Sequence, residues 1–329
     1  MRIGIQFKPE DWPVLRGDVT TAESLGYSRI YMVDGQLLWR DIYVYMAQVL
    51  ATTRHIPVVS AVTNPFTRHY TVTANAHATL AELHPGRVVL GLGRGDNAVR
   101  TLGLEPVATS SIPDVVPRLR DLMAGRPVEC NGREIRSVWG PKEPVPIMLA
   151  ATGPRNLRLA GRLADIAIIQ VGANPESCKW AVDQIRAGAR AAGRSMDDIE
   201  VVAHCAIHIS DDLEEARRET RWIAELVGLH SAAVARASKD HGMPDSLMRL
   251  ANLELEHYDY SSHLDNKVKR APYPPEVIED VALIGDPDQI AGRLRALEEV
   301  GVTEVAPAYL NGSDQVRLIG ERLIPLFEQ

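Results

Sequence analysis

The chain has 329 residues, 45% of them apolar and only 5% aromatic, so a large core must be packed mainly by aliphatic side chains. A formal net charge of −7 with no concentrated basic patch argues against a nucleic-acid partner. No apolar run approaches the ~20 residues needed to span a bilayer, and a strand pattern begins at Arg2 in place of a signal peptide, so a soluble cytoplasmic protein without a membrane partner is expected. Cys130, Cys178 and Cys205 are widely spaced and outside any CxxC pattern, which fits a reducing compartment rather than a disulfide scaffold.

In chain order, short β-rich apolar runs at residues 2–7, 29–33, 56–62, 87–92, 145–150, 166–170, 199–209 and 304–308 read as strands. Helical periodicity fills residues 12–25, 43–52, 69–83, 154–163, 180–192 and 287–300. The last of these opens on Asp286 and Pro287, a capping residue followed by proline at the first helical position. Eight strands in β-α alternation predict an α/β fold, a (β/α)8 TIM barrel forming one domain over residues 1–329. An open doubly wound sheet is the alternative, but it usually needs fewer strands or a second domain.

Two insertions account for the extra length. After the fourth strand and a helix at 113–124, residues 128–139 read as a hairpin turning at Asn131-Gly132. After the seventh strand comes a mainly helical insertion at about 211–280. Within it, residues 258–275 are rich in Tyr, Ser and Pro and read as an exposed loop, either a lid over the active-site mouth or a plain connector.

Residues 58–96 are the most informative stretch. They form one β-α-β unit whose strands end in the turns 61–68 and 91–96, and barrel strands place functional groups at their carboxyl ends. Thr63 and Asn64 suit the edge of a flat ligand, although Thr-Asn-Pro equally initiates a turn. The turn Gly91-Leu92-Gly93-Arg94-Gly95-Asp96 lacks the Lys-Ser/Thr ending of a P-loop and follows the fourth strand, so its glycines are expected to keep a planar cofactor's path clear. Asp96 is either a functional carboxylate or the cap of the next helix.

The turn carrying Ala151, Thr152, Gly153 and Arg155 opens a helix whose amides and dipole suit an anion, and the turn at Gly172 and Ala173 reads the same way. Asp34 and Gln6 end the second and first strands and should face the same cavity, Asp34 as a candidate for proton transfer. His204 and His208 share the spacing of helical zinc ligands but sit in a strand without an HExxH glutamate, so no metal site is expected.

These residues, in this order, resemble the bacterial luciferase-like superfamily of flavin and deazaflavin oxidoreductases, and within it the F420-dependent methylenetetrahydromethanopterin reductase-like branch. The likeness runs through residues 2–7, 31–34, 62–68, 73–95, 150–163 and 285–302, with an ATLAEL…GR…LGLG spacing in the middle. It implies an enzyme that transfers a hydride between coenzyme F420 and an unidentified small organic substrate. An FMN-dependent luciferase-like monooxygenase and a non-catalytic flavin-binding barrel are the alternatives.

Carried over by position, Ala61 and Val62 would form a non-prolyl cis peptide against the back of the deazaflavin ring, with Thr63 and Asn64 flanking it. Ala151, Thr152 and Gly153, with Gly172 and Ala173, would hold the cofactor phosphate. Asp34, Asp96 and Gln6 would line the reaction centre, and Arg94 and Trp39 the substrate side. Relatives pair as homodimers through helices near the second to fourth strands, where Ile42, Tyr43, Tyr45 and Met46 would suit a contact. The departures are specific. Gln6 stands where the methanopterin reductases carry a proton-donating glutamate, Gly35 where relatives acting on glucose 6-phosphate carry histidine, and Arg94 where a small residue is common.

Overall fold

The computed structural model describes residues 1–141, 143–237, 242–253 and 273–327. The first barrel strand is laid in two pieces, β1 (Arg2–Ile3) and β2 (Ile5–Phe7), on either side of Gly4, where any side chain would strike the Tyr31 ring at 2.6 Å. Then α1 (Trp12–Ser24), β3 (Ile30–Met32), α2 (Ile42–Thr52), β4 (Val58–Ser60), α3 (Tyr70–Leu83) and β5 (Val88–Leu92) alternate. After β5 come α4 (Asn97–Arg100), α5 (Ile112–Met123) and an antiparallel hairpin of β6 (Val128–Cys130) and β7 (Arg133–Ile135). Asn131 and Gly132 at its tip take φ of 52° and 75°, the left-handed pair that a two-residue turn requires.

The chain continues through β8 (Ile147–Ala151), α6 (Pro154–Leu163), β9 (Ile166–Ile169), α7 (Pro175–Ala191), β10 (Glu200–Ile209), α8 (Leu213–Ala237) and α9 (Asp245–Asn252). It ends with α10 (Pro275–Glu279), β11 (Ala282–Gly285), α11 (Pro287–Glu299), β12 (Glu304–Pro307) and α12 (Gln315–Leu318). Parallel pairing runs β2-β3-β4-β5-β8-β9-β10-β12, and β12 returns to β1 at Arg2↔Glu304, which closes the barrel.

Three elements differ from the sequence reading. Strand β11 is new: it pairs with residues 206–209 of β10, beyond the point where β12 ends, and its four apolar residues are too few to show a period. The strand expected over 56–62 pairs only at Val58–Ser60, because the chain leaves the ladder at Ala61, whose peptide bond to Val62 is cis. Helix α7 begins at Pro175 rather than 180, with Asn174 capping it through the amide of Glu176 at 2.9 Å. Most of the loop expected at 258–275 lies outside the described residues.

The core has two layers. Aliphatic side chains such as Leu15, Ile30, Met46, Leu90 and Ile185 fill the space between barrel and helices, while Tyr31, Val59, Met148, Ile168 and Val202 fill the lumen. The amino-terminal end of the lumen is closed by Glu304, fully buried, which accepts from the Tyr31 hydroxyl at 2.7 Å and from Arg29 at 2.6 Å. Ile42 and Met46 are spent in the outer layer, and the hydroxyls of Tyr43 and Tyr45 donate to Thr73 and to the Glu10 carbonyl. Of the four residues expected to meet a partner copy, Ile42 and Met46 are thus buried in the chain's own packing, whereas Tyr43 and Tyr45 are only partly buried.

Helices α6 and α7 touch main chain to main chain. A Cβ on Gly161 would lie 2.0 Å from the Ile185 carbonyl oxygen, and one on Gly188 would lie 2.0 Å from that of Arg158. Among the described residues no helix is long and apolar enough to cross a membrane.

Candidate active site

A cleft of about 1010 Å3 opens at the carboxyl ends of the barrel strands. On its floor lies a row of three polar side chains. Gln6, 3% exposed, accepts from His204 Nε2 at 3.0 Å through Oε1, and its Nε2 donates to the Ala61 carbonyl at 3.5 Å. Gln170 Nε2 sits 3.4 Å from His204 Nδ1. Both amide orientations are satisfied when His204 is neutral with its proton on Nε2. Burial, with His230 nearby, pushes its pKa down to about 4, which makes that form the resting one at neutral pH. Tyr309 packs edge-on against the imidazole, 6.3 Å between centroids.

One wall is built from the strand that breaks at Ala61. Beyond the cis Ala61-Val62 bond, Thr63 rejoins β5 through its amide to Gly91 O at 3.0 Å and its carbonyl from Gly93 N at 2.8 Å. Beneath this, Ser60 Oγ accepts from Gly91 N at 2.9 Å and lies 3.0 Å from Nε2 of His77. His77 donates from Nδ1 to the Thr73 carbonyl at 2.9 Å, and burial pushes its pKa down to about 4.

The glycines at 91 and 93 are required by this neighbour, and Gly93 also lines the cleft. A Cβ on Gly91 would fall 1.9 Å from Ser60 O, and one on Gly93 would fall 2.7 Å from Val62 Cγ2. Thr63 and Asn64, buried at 0% and 1%, stay behind the wall and do not line the cleft. Asn64 Oδ1 accepts from the amides of Phe66 and Thr67 at 3.0 and 2.9 Å, so this segment is a self-bonded turn rather than a ring contact. Ala61, Val62, Gly93, Ala150 and Ile168 supply the apolar surface that faces the cleft.

Both carboxylates expected at the reaction centre reach the cleft, and both are already engaged. Asp34 accepts from Arg68 at 2.6 Å, with its side chain 2% exposed, and Arg68 also reaches Asp41 at 3.1 Å and lies 4.7 Å over the Tyr43 ring. Asp96 does not cap α4. Its oxygens take Arg100 Nε at 2.7 Å and His230 Nε2 at 3.3 Å instead. Burial raises its pKa, but these two partners outweigh that and hold it at about 2. Asp96 is therefore a fixed anion at neutral pH, not an exchanger of protons.

The two helix starts proposed for phosphate behave differently. At α6, no side chain caps the helix, and Ala151, Thr152, Gly153 and Arg155 all line the cleft. At α7, Asn174 caps the helix and the chain covers the turn itself. Ala173 N donates to Asp280 O at 3.1 Å, and Asn174 Nδ2 donates to Asp280 Oδ1 at 2.8 Å. Gly172 and Ala173 do not line the cleft.

Arg94 lines the cleft with its Nε held by the Val107 carbonyl at 2.5 Å, and no carboxylate among the described residues pairs with it. Trp39 lines it too and fills the place a side chain at position 35 would need, 2.7 Å from a Cβ on Gly35.

His204, Gln170, His230 and Tyr309 line the cleft but were not assigned to it from the sequence, whereas Arg68, in the 61–68 turn expected there, reaches it only through Asp34. His230 carried a usable signal, because with Leu226, Ala233, Val234 and Ala237 it repeats at helical spacing along the face of α8 that roofs the cleft. The others are brought in by strand order alone.

The profile of the luciferase-like monooxygenase family matches residues 8–304. Over 98% of its length the chain is 28% identical to the whole of the 5,10-methylenetetrahydromethanopterin reductase of Methanolobus tindarius. It is 26% identical, over 97% of its length, to 93% of the F420-dependent glucose-6-phosphate dehydrogenase of Nakamurella multipartita. The solved coenzyme F420 dependent tetrahydromethanopterin reductase of Methanopyrus kandleri matches 99% of both chains with a TM-score of 0.76 at 24% identity. This chain belongs to the luciferase-like monooxygenase family.

Proposed function

We propose that the chain is an oxidoreductase that moves a hydride between coenzyme F420, a 5-deazaflavin, and a small organic substrate. The observation that carries the reading is one continuous cleft in which an apolar wall, a row of neutral hydrogen-bonding side chains and an uncapped helix start lie in sequence. The relatives named for F420 support it. The donor set fits a flat ring with a phosphate at one end: Ala61, Val62, Gly93, Ala150 and Ile168 offer the face, and Thr152 with the first amides of α6 the anion cradle. When bound, the deazaflavin supplies hydride chemistry at its C5 and reacts poorly with oxygen.

The chain's own residues then have separable tasks. The wall at Ala61 and Val62 excludes water from one side of the ring. His204 and Gln170 fix the carboxamide of Gln6, so that one of its N–H groups points along the floor toward Ala61 O while the other is free for ring or substrate. Asp34, locked to Arg68, orients the second-strand turn. Asp96 holds α8 over the cleft through His230. Arg94 offers its outer nitrogens to an acidic or polar substrate group, and Trp39 limits the room beside it. Pairing of two copies and a cytoplasmic location belong to the same reading.

The test is fluorescence titration of the purified protein with F420 and, separately, with FMN. Quenching of F420 with a micromolar or tighter dissociation constant is expected. Tight FMN binding without F420 binding overturns the reading in favour of an FMN-dependent monooxygenase, the second reading, which the family's own description favours.

A further inference from the structure

Among the described residues Tyr309 is the one tyrosine that lines the cleft. It stands just past β12, where Ala308 still pairs with Gln6 and the Tyr309 amide donates to the Gln6 carbonyl at 3.0 Å. Its φ is 65°, in the left-handed region that a residue with a bulky side chain adopts only where its surroundings impose it. Two rings hold its own at steep angles: Trp222 of α8, 4.8 Å between centroids, and His204 of the floor, at 6.3 Å. Backbone and ring are thus both fixed beside the Gln6 end of the polar row.

The hydroxyl is left over. Tyr27, Tyr31, Tyr43 and Tyr45 donate theirs to acceptors of the chain at 2.8, 2.7, 3.3 and 2.5 Å. Tyr70 lacks such an acceptor, but its hydroxyl is enclosed and lies away from the cleft. The Tyr309 hydroxyl has no hydrogen bond with a described residue and is not enclosed, so it opens on the cleft. Burial pushes its pKa up, which keeps the phenol a neutral O–H donor near neutral pH and excludes it as a base. The neighbouring groups do not compete for this part. His204 is neutral, Asp34 is paired with Arg68, Asp96 is a fixed anion, and His230 turns Nε2 to Asp96 with its Nδ1 enclosed. A neutral donor held rigidly at a reaction cleft calls for an acceptor that gains negative charge during the reaction, as a carbonyl oxygen does when its carbon takes a hydride.

We propose that Tyr309 is a catalytic residue whose hydroxyl binds the substrate's carbonyl oxygen and gives it a proton as the adjoining carbon takes the hydride. The proposal rests on the cofactor reading above and narrows the substrate to a ketone or aldehyde. Hydride from the reduced deazaflavin forms the new C–H bond, the π pair of C=O moves to oxygen, and that oxygen takes the phenol proton. The phenolate left behind recovers a proton from water in the cleft, and the reduced cofactor's second hydrogen leaves to solvent as a proton. The sum is carbonyl compound plus reduced cofactor giving alcohol plus oxidised cofactor.

The experiment uses cyclohexanone and methylenecyclohexane, compounds of one shape of which only the first offers an oxygen acceptor. Wild type and Tyr309→Phe, both checked by thermal melting, are saturated with oxidised F420, its uptake followed by fluorescence. Each is then titrated with the two compounds by calorimetry. Wild type is expected to bind the ketone about tenfold more tightly than the alkene, and the variant to bind both alike. In single turnovers with reduced F420, the variant should reduce cyclohexanone about 100-fold more slowly while its affinity for F420 is unchanged. No preference in wild type, a preference that survives in the variant, or an undiminished rate in the variant overturns the role of Tyr309 and leaves the cofactor reading standing. Failure of wild type to bind F420 overturns both.

Discussion

Lowering the pH from about 7 to about 5 protonates the histidines of an unfolded chain but leaves His77 and His204 neutral inside the fold, where burial holds both near 4 against an ordinary 6.5. Both folded values are depressed, so the unfolded state takes up protons that the folded state refuses. Stability is then fully present above the ordinary value and declines as the pH falls from there toward the folded value. At about 1.4 kcal/mol per pKa unit, each ring removes about 2 kcal/mol by pH 5, and the pair about 4 kcal/mol. Asp18, whose carboxyl burial pushes up, acts in the opposite sense, but equally in any variant.

His204→Gln keeps a polar partner for Gln6 and deletes one of the two linked protons. Urea unfolding of both proteins at the two pH values is the measurement. Wild type should lose about 4 kcal/mol and the variant about 2 kcal/mol. If the variant loses as much as wild type, His204 is not a buried neutral ring, and the fixed geometry assigned to Gln6 goes with it.

Removing Arg68 as methionine strands the buried Asp34 carboxylate and should cost about 3–5 kcal/mol in urea unfolding, much of it restored by adding Asp34→Asn. No rescue would mean that Arg68 acts through packing on Tyr43 alone. Gly91→Ala places a methyl against the Ser60 carbonyl and should cost at least about 1–3 kcal/mol, a sum that a thermal melt will show. A melt unchanged from wild type would contradict the close approach of β4 and β5. Asp96→Asn should cost about 1 kcal/mol at neutral pH, after discounting for its partly exposed side chain. Because the folded value is depressed, that difference should fade as the pH drops from about 4 toward about 2, and a difference that persists there would dissociate it from charge.

The barrel could be read from the sequence because its strands are buried on both faces and appear as unbroken apolar runs separated by helical periodicity. Only β11 escaped, a short run whose partner lies some 75 positions earlier on β10. The site was legible where function and strand ends coincide: Gln6, Asp34, Ala61, Val62, Thr152 and Gly153 all reach the cleft. It was not legible where a local turn satisfies itself. Asn64 bonds its own following amides, and Gly172 and Ala173 are roofed by Asp280, a residue more than a hundred positions away. Nor does a sequence reveal that a carboxylate is already paired. Arg68 lies 34 positions from Asp34 and His230 lies 134 from Asp96, and only the folded chain joins them.

Because Gly161 and Gly188 leave no gap between α6 and α7, the helix beside the cleft has no slack to give. In a programme of directed evolution toward new substrates, this helix would behave as a fixed jaw. Across from it lies the segment around Pro106 to Pro113, joined to α6 through Thr109 and Asn156 at 3.0 Å and to the 91–96 turn through Val107 and Arg94, with Ile112 buried in the core. Libraries that vary its exposed positions, such as Ala108 and Ser110, can reshape the opening, whereas any residue larger than glycine at position 161 would register first as a protein that no longer accumulates.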